Sequence, residues 1–158
     1  MKEEMVPVRV KGVAMPSEDS LPVVVLSGKF GSIAVSVGAY EASAIIMQLE
    51  GLSTPRPQTH QLLAELFREQ RLSLRRAELY GVYGYEEDGF LARIVYGRGL
   101  SRRIRDVRPS DAITLALATG APLYAHPSLF SQSACTSSSE ITMVDADITY
   151  WHGQSVGA

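Results

Sequence analysis

Two short stretches share a spelling that could do chemistry. Arg56-Pro57-Gln58-Thr59-His60 and Arg108-Pro109-Ser110-Asp111-Ala112 each place an arginine before a proline. In each, a hydroxyl and a titratable group follow within four residues. Proline suits the first turn of a helix, so both spellings predict a helix start. A helix start exposes free N–H groups and a partial positive charge, which attract anions. A neighbouring guanidinium turns that into a clamp for phosphate or carboxylate. Arg56, Thr59, Arg108 and Ser110 are therefore candidate phosphate ligands. Thr59, Ser110 and Asp111 are also residue types that simply cap helices, and spelling alone does not separate the two roles.

The titratable residues narrow the choice. Of the histidines at 60, 126 and 152, only His60 falls in a predicted first helical turn beside an arginine and a threonine. Its ordinary pKa near neutrality suits a general acid or base. Glu41 sits in the first turn of another predicted helix, where a carboxylate also complements the helix dipole. Glu50 ends that helix, where its charge opposes the dipole and asks for a partner such as Arg56. Glu41, Glu50 and Asp111 together could hold a divalent metal such as Mg²⁺, although no metal-binding motif is spelled. Cys135, the one cysteine, lies in a serine-rich stretch and reads as an incidental thiol.

The elements that would position these residues follow from periodicity. Val6 to Met15, Pro22 to Leu26 and Ser32 to Val37 read as three strands with short links, an antiparallel meander. Ala39 to Glu50 repeats apolar residues at helical spacing and stops at Gly51. A second helix is expected from about Pro57 to Arg71, with Leu62, Leu63, Leu66 and Phe67 facing the core. Leu74 to Tyr85 and Phe90 to Tyr96 read as a hairpin turning at Asp88-Gly89. Ser101 to Val107 follows as an arginine-bearing strand, then a helix from Pro109 to Thr119 and a last strand from Ala121 to Ala125. The fold class expected is α+β: a largely antiparallel sheet packed by about three helices, in a single domain over residues 1–130. Residues 131–158 form a serine-rich C-terminal tail.

The chain of 158 residues carries a net charge of −2, unevenly spread. Between Arg56 and Arg108 eleven arginines face seven acids, a local charge of +4, whereas the remainder carries −6. Such a basic middle could face phosphates. No run approaches the ~20 apolar residues of a membrane span. The charged start and single cysteine fit a cytoplasmic protein without a secretory leader.

Taken together, these segments resemble the bifunctional nuclease domain family. The match runs through Gly38-Ala39-Tyr40-Glu41-Ala42-Ser43-Ala44-Ile45 to Leu49-Glu50-Gly51, through Arg56-Pro57-Gln58-Thr59-His60-Gln61-Leu62-Leu63, and through Arg108-Pro109-Ser110-Asp111-Ala112-Ile113 to Ala121-Pro122-Leu123-Tyr124. Asp88-Gly89-Phe90-Leu91-Ala92-Arg93 adds a fourth segment. The resemblance covers about Val6 to Phe130. It implies an α+β fold, a homodimer, and hydrolysis of phosphodiester bonds in both DNA and RNA. On the matching motifs, Glu41, His60 and Asp111 are candidates for proton transfer or metal binding. Arg56, Thr59, Arg93, Arg108 and Ser110 are candidates for phosphate. Gln61 departs from the family, where an acid often follows the histidine. Two other functions use the same residues: a non-catalytic regulatory module binding anions or nucleic acid, and a structural dimer whose motifs only cap helices.

Overall fold

A computed structural model describes residues 4–83 and 89–130 of the chain. The expected Asp88-Gly89 turn and the tail from 131 lie, wholly or in part, outside the described residues. Seven strands and three main helices follow the order β1 (Val6–Ala14), β2 (Val23–Gly28), β3 (Gly31–Ser36), α1 (Ala39–Leu49), α2 (Thr59–Glu69), β4 (Ser73–Val82), β5 (Phe90–Gly97), β6 (Arg103–Val107), α3 (Pro109–Thr119) and β7 (Leu123–Ala125). The strands make one sheet in the order β3-β2-β1-β7-β4-β5-β6. Every pairing is antiparallel except that of β7 with β4. The protein is therefore the α+β type expected from its sequence, with a mostly antiparallel sheet.

The sheet is two meanders joined in the middle. Valine-rich β1, β2 and β3 pair as consecutive antiparallel neighbours: β1 and β3 alternate apolar and polar residues, β2 is apolar from Val23 to Leu26 and alternates in burial, and β2 turns into β3 through only residues 29–30. Strands β4, β5 and β6 do the same. Strand β7 fills the gap, with Leu123 opposite Val8 on one side and Ala77 on the other. Val24, Leu26, Ile33, Ala77, Leu79 and Ala125 are fully covered and face the helices. Helix α3 packs against α1, α2, β4 and β5, and it buries Ala112, Ile113, Leu115 and Ala116. The side chains that alternate with these, among them Arg76, Glu78, Arg93 and Tyr124, fall on the far face of the sheet.

Helix α3 begins as its spelling predicts: Arg108 is the N-cap and Pro109 the first helical residue. The other Arg-Pro pair does not begin a helix. In α2 the N-cap is Gln58, whose N–H donates to Gln61 Oε1 at 3.1 Å. This self-contained capping pair moves the start to Thr59 and leaves Arg56 and Pro57 outside. It also gives Gln61 a structural use in place of an acid. Nor is α2 a core helix. It has no buried residue, and Leu62, Leu63 and Leu66 remain 45%, 37% and 44% exposed. It lies against the rest as a strap.

All three helices end alike. In α1, Leu52 N–H bonds Met47 O at 2.9 Å past Gly51 at φ 64°. In α3, Ala121 N–H bonds Ala116 O at 3.0 Å past Gly120 at φ 69°. In α2, Leu72 N–H bonds Phe67 O at 2.7 Å, but the left-handed position is held by Arg71 at φ 55°. A side chain there costs about 1–2 kcal/mol, part of which glycine would return through its own greater flexibility when unfolded. Arg71→Gly should accordingly stabilise the protein by up to about 1 kcal/mol, read from the urea midpoint at unchanged slope. A loss of stability would show that the Arg71 side chain contributes more than its backbone costs.

Candidate functional site

The first turns of α1, α2 and α3 meet over β5 and β6. Glu41 is on the first turn of α1, Thr59 and His60 open α2, and Arg108 and Asp111 open α3. All five line one cavity of about 710 Å³. Its floor is apolar, with Leu63, Phe67, Ile94, Val107 and Leu115. Tyr40, Tyr96 and Arg105 complete the rim.

Arg108 organises the rim. Its Nε and Nη2 donate to Asp111 Oδ2 and Oδ1 at 2.8 and 3.0 Å, a two-pronged grip within one helical turn. Its Nη1 donates to Glu41 Oε1 at 3.2 Å. The guanidinium thus ties the start of α3 to the start of α1. The hydrogen bond to Asp111 raises the Arg108 pKa first, with Asp111's charge and then Glu41 adding to it. Because Arg108 is two-thirds exposed, these pairs contribute no more than about 1 kcal/mol each. Their role is placement. Gly38, the N-cap of α1, leaves room for this arrangement, since a Cβ there would lie 2.3 Å from Glu41 Oε2.

His60 supplies the titratable group. Its Nε2 is covered and has no hydrogen-bond partner. Desolvation lowers its pKa from the ordinary 6.5, so it is neutral at physiological pH. In the same cavity, the Arg105 guanidinium facing the Tyr96 hydroxyl lowers the phenol's pKa, with Arg103 adding a smaller effect. The Tyr96 ring lies 5.6 Å from Phe67.

The other sequence candidates lie elsewhere. Arg56 is exposed, and its neighbours Pro55 and Pro57 line a different hollow of about 870 Å³ on the other side of α2. Arg93 alternates with Ala92 and Ile94 on β5, so it falls on the far face of the sheet. There its Nε bonds the buried carboxylate of Glu78, and its guanidinium stacks 4.8 Å from the Tyr80 ring centre. Ser110 is 8% exposed and does not line the cavity. Glu41 and Glu50 occupy opposite ends of α1, about 14 Å apart at 1.5 Å per residue. Among the described residues no three His, Cys, Asp or Glu side chains converge to hold a metal ion. The cavity's two carboxylates, Glu41 and Asp111, are both engaged by Arg108, so they do not present a free donor set to the suggested metal. Tyr96 and Arg105 were missed in the sequence. The alternation that pairs Tyr96 with Ile94 and Arg105 with Val107 was legible, but which face the helices cover was not.

A family model for the bifunctional nuclease domain matches residues 24–138. The chain belongs to the bifunctional nuclease domain family. The matched span takes in all three helices and every residue of the cavity. The chain is also 29% identical over 128 residues to two proteins of Mycobacterium tuberculosis, the uncharacterized proteins MT1877 of strain CDC 1551 / Oshkosh and Rv1829 of strain ATCC 25618 / H37Rv. That likeness covers 80% of this chain and 74% of each relative. No helix among the described residues is long and apolar enough to cross a membrane.

The sign of the His60 shift sets a pH dependence. Its folded-state pKa is depressed, so near pH 6 the unfolded chain binds more protons there. The stability that neutral His60 contributes is present above pH 6.5 and is lost as pH falls through its folded pKa. Titration of the His60 ring by NMR should give a midpoint below 6.5. A midpoint above 6.5 would place a carboxylate, not desolvation, in control of the ring.

Proposed function

We propose that this bifunctional nuclease domain hydrolyses phosphodiester bonds in DNA and RNA at the cavity between the helix starts. One observation carries the proposal. His60, neutral and with no hydrogen-bond partner at its covered Nε2, lines the same cavity as Arg105 and Arg108. Phosphodiester hydrolysis needs a base for the attacking water and positive charge for the non-bridging oxygens. His60 accepts the proton of the water as its oxygen bonds to phosphorus. Arg105 and Arg108 neutralise the charge on the phosphoryl oxygens. The bond from phosphorus to the leaving oxygen breaks, and that oxygen takes a proton from the acidified Tyr96 hydroxyl or from solvent. Glu41 and Asp111, each bonded to Arg108, orient it. Thr59, exposed at the start of α2, lies within the same rim.

A second function is favoured by the charge balance. Arg105 and Arg108 face Glu41 and Asp111, so with neutral His60 the rim has no net charge. With its arginines offset by carboxylates, the rim has less positive charge to spare for a transition state, and the same residues would then hold a nucleic-acid or phosphorylated ligand for regulation, without turnover.

Cleavage separates the two. His60→Ala should lower the cleavage rate on a single-stranded oligonucleotide by about 10²- to 10⁴-fold while thermal unfolding stays within a few degrees of wild type. Wild-type turnover in His60→Ala would remove the catalytic proposal, and tight binding with no turnover in the wild type would establish the regulatory one.

A further inference from the structure

The far face of the sheet carries a further hollow, of about 440 Å³, with a different chemistry. It is lined by Arg75, Arg76 and Arg102, together with Tyr124, Val95 and Ser101. Three guanidiniums and an aromatic ring line it, and among the described residues no carboxylate does. The first cavity, by contrast, balances two arginines with two acids.

The cations are held in place by groups beneath and beside the hollow. Arg75 donates to Gly99 O. Arg76 Nε stands 2.6 Å from Glu78 Oε1, a charge contact off the hydrogen-bond line, and its guanidinium lies 5.9 Å from the Tyr124 ring centre. Glu78, 1% exposed, is shared with Arg93 below the surface, so it anchors Arg76 without facing the hollow. Beyond its contacts with Glu78 and Tyr124, the Arg76 guanidinium makes no hydrogen bond among the described residues, and neither does that of Arg102. The wall is rigid: Arg98 N–H donates to Ser101 Oγ at 2.9 Å, and Ser101 N–H to Arg98 O at 2.9 Å. Gly97 allows it, because a Cβ there would lie 2.0 Å from Ser101 O.

The hollow and the first cavity share no lining residue, but both lie beside the same edge of the sheet. Strand β6 is the edge strand, and its first four residues are exposed. Arg102 precedes it, while Arg103 and Arg105 pair with Tyr96 and Ile94 on the helix-covered face. From Arg102 to Arg105 the strand advances only about 10 Å. Charged side chains on an edge strand also deter pairing between sheets. That explains Arg103 and Arg105, but it does not require three guanidiniums gathered around a concavity with a tyrosine.

We infer that the Arg75–Arg76–Arg102 hollow is a second, non-catalytic binding site for single-stranded nucleic acid. Its arginines hold backbone phosphates, Tyr124 stacks a base, and the strand passes around β6 toward the His60 cavity. Guanidiniums interleaved with an aromatic platform are the chemistry by which single strands are held without regard to sequence. The choice of nucleic acid as ligand rests on the nuclease reading, but binding here is measurable without turnover.

The test uses the full chain and a fluorescein-labelled oligothymidylate of twelve nucleotides, with affinity followed by anisotropy across a salt series. The expected result is that Arg102→Ala and Arg75→Ala each weaken binding and make the slope of log affinity against log salt shallower by about 0.7. Tyr124→Leu should weaken binding about fivefold or more at unchanged slope, and Tyr124→Phe should restore it. If cleavage occurs, Arg102→Ala should raise KM on the twelve-nucleotide strand and leave kcat on a dinucleotide unchanged. Loss of binding in Arg102→Ala with no cleavage by any form would keep this site and sink the nuclease proposal. Wild-type affinity and slope in both arginine variants would overturn it, as would displacement of the labelled strand by polyglutamate as readily as by unlabelled oligothymidylate.

Discussion

Three residues join the two halves of this molecule. Leu123, Tyr124 and Ala125 pair antiparallel with β1 and parallel with β4, and without them the sheet would be two separate three-stranded meanders. A parallel neighbour cannot be reached by a tight turn, so the chain must arrive from the far end of the sheet. Helix α3 makes that passage across the sheet, which is why it is the most buried helix and touches both other helices. The demand for a central strand therefore sets α3 against β4 and β5. It also puts the start of α3, with Arg108 and Asp111, beside the starts of α1 and α2.

Two environments follow from the two faces of the sheet. On the covered face, Arg108 is tied by Asp111 and Glu41, His60 is desolvated, and the rim is neutral in sum. On the far face, arginines outnumber the single buried carboxylate that anchors two of them. The basic middle of the sequence is thus divided. A minority of its arginines reach the His60 cavity, and others lie on the far face or on the edge strand. Burying Glu78 is unfavourable unless it is paired, and two arginines on neighbouring strands meet that need across the β4–β5 register.

Much of the fold was legible because local signals agreed. Pro109 and Gly120 bound α3 as their preferences dictate, and the alternation of β1 and β3 and the valine run of β2 each had one consistent meaning. The signals failed where two local preferences competed. Pro57 invited a helix start, but the Gln58–Gln61 capping pair placed it two residues later. Leucines at helical spacing implied a buried α2, yet spacing reports an apolar stripe and not what covers it. Glu41, Thr59, His60, Arg108 and Asp111, which line one cavity, could be singled out because all lie at helix starts, which spelling marks. Arg93 was drawn in by its motif, and Tyr96 and Arg105 were overlooked, for one reason: alternation assigns relative faces within a strand, and only the long-range packing of α3 decides which face meets the helices.

The central claim is that the starts of the three helices form one phosphate-recognising site. It is tested most directly by adding a non-hydrolysable phosphorothioate dinucleotide to ¹⁵N-labelled protein and following backbone and arginine side-chain NMR signals. Saturable shifts are expected at His60, Arg105 and Arg108, with Arg56 unmoved. Shifts confined to Arg56, Arg68 and Arg71 around the other hollow, with His60 and Arg108 unchanged, would contradict it.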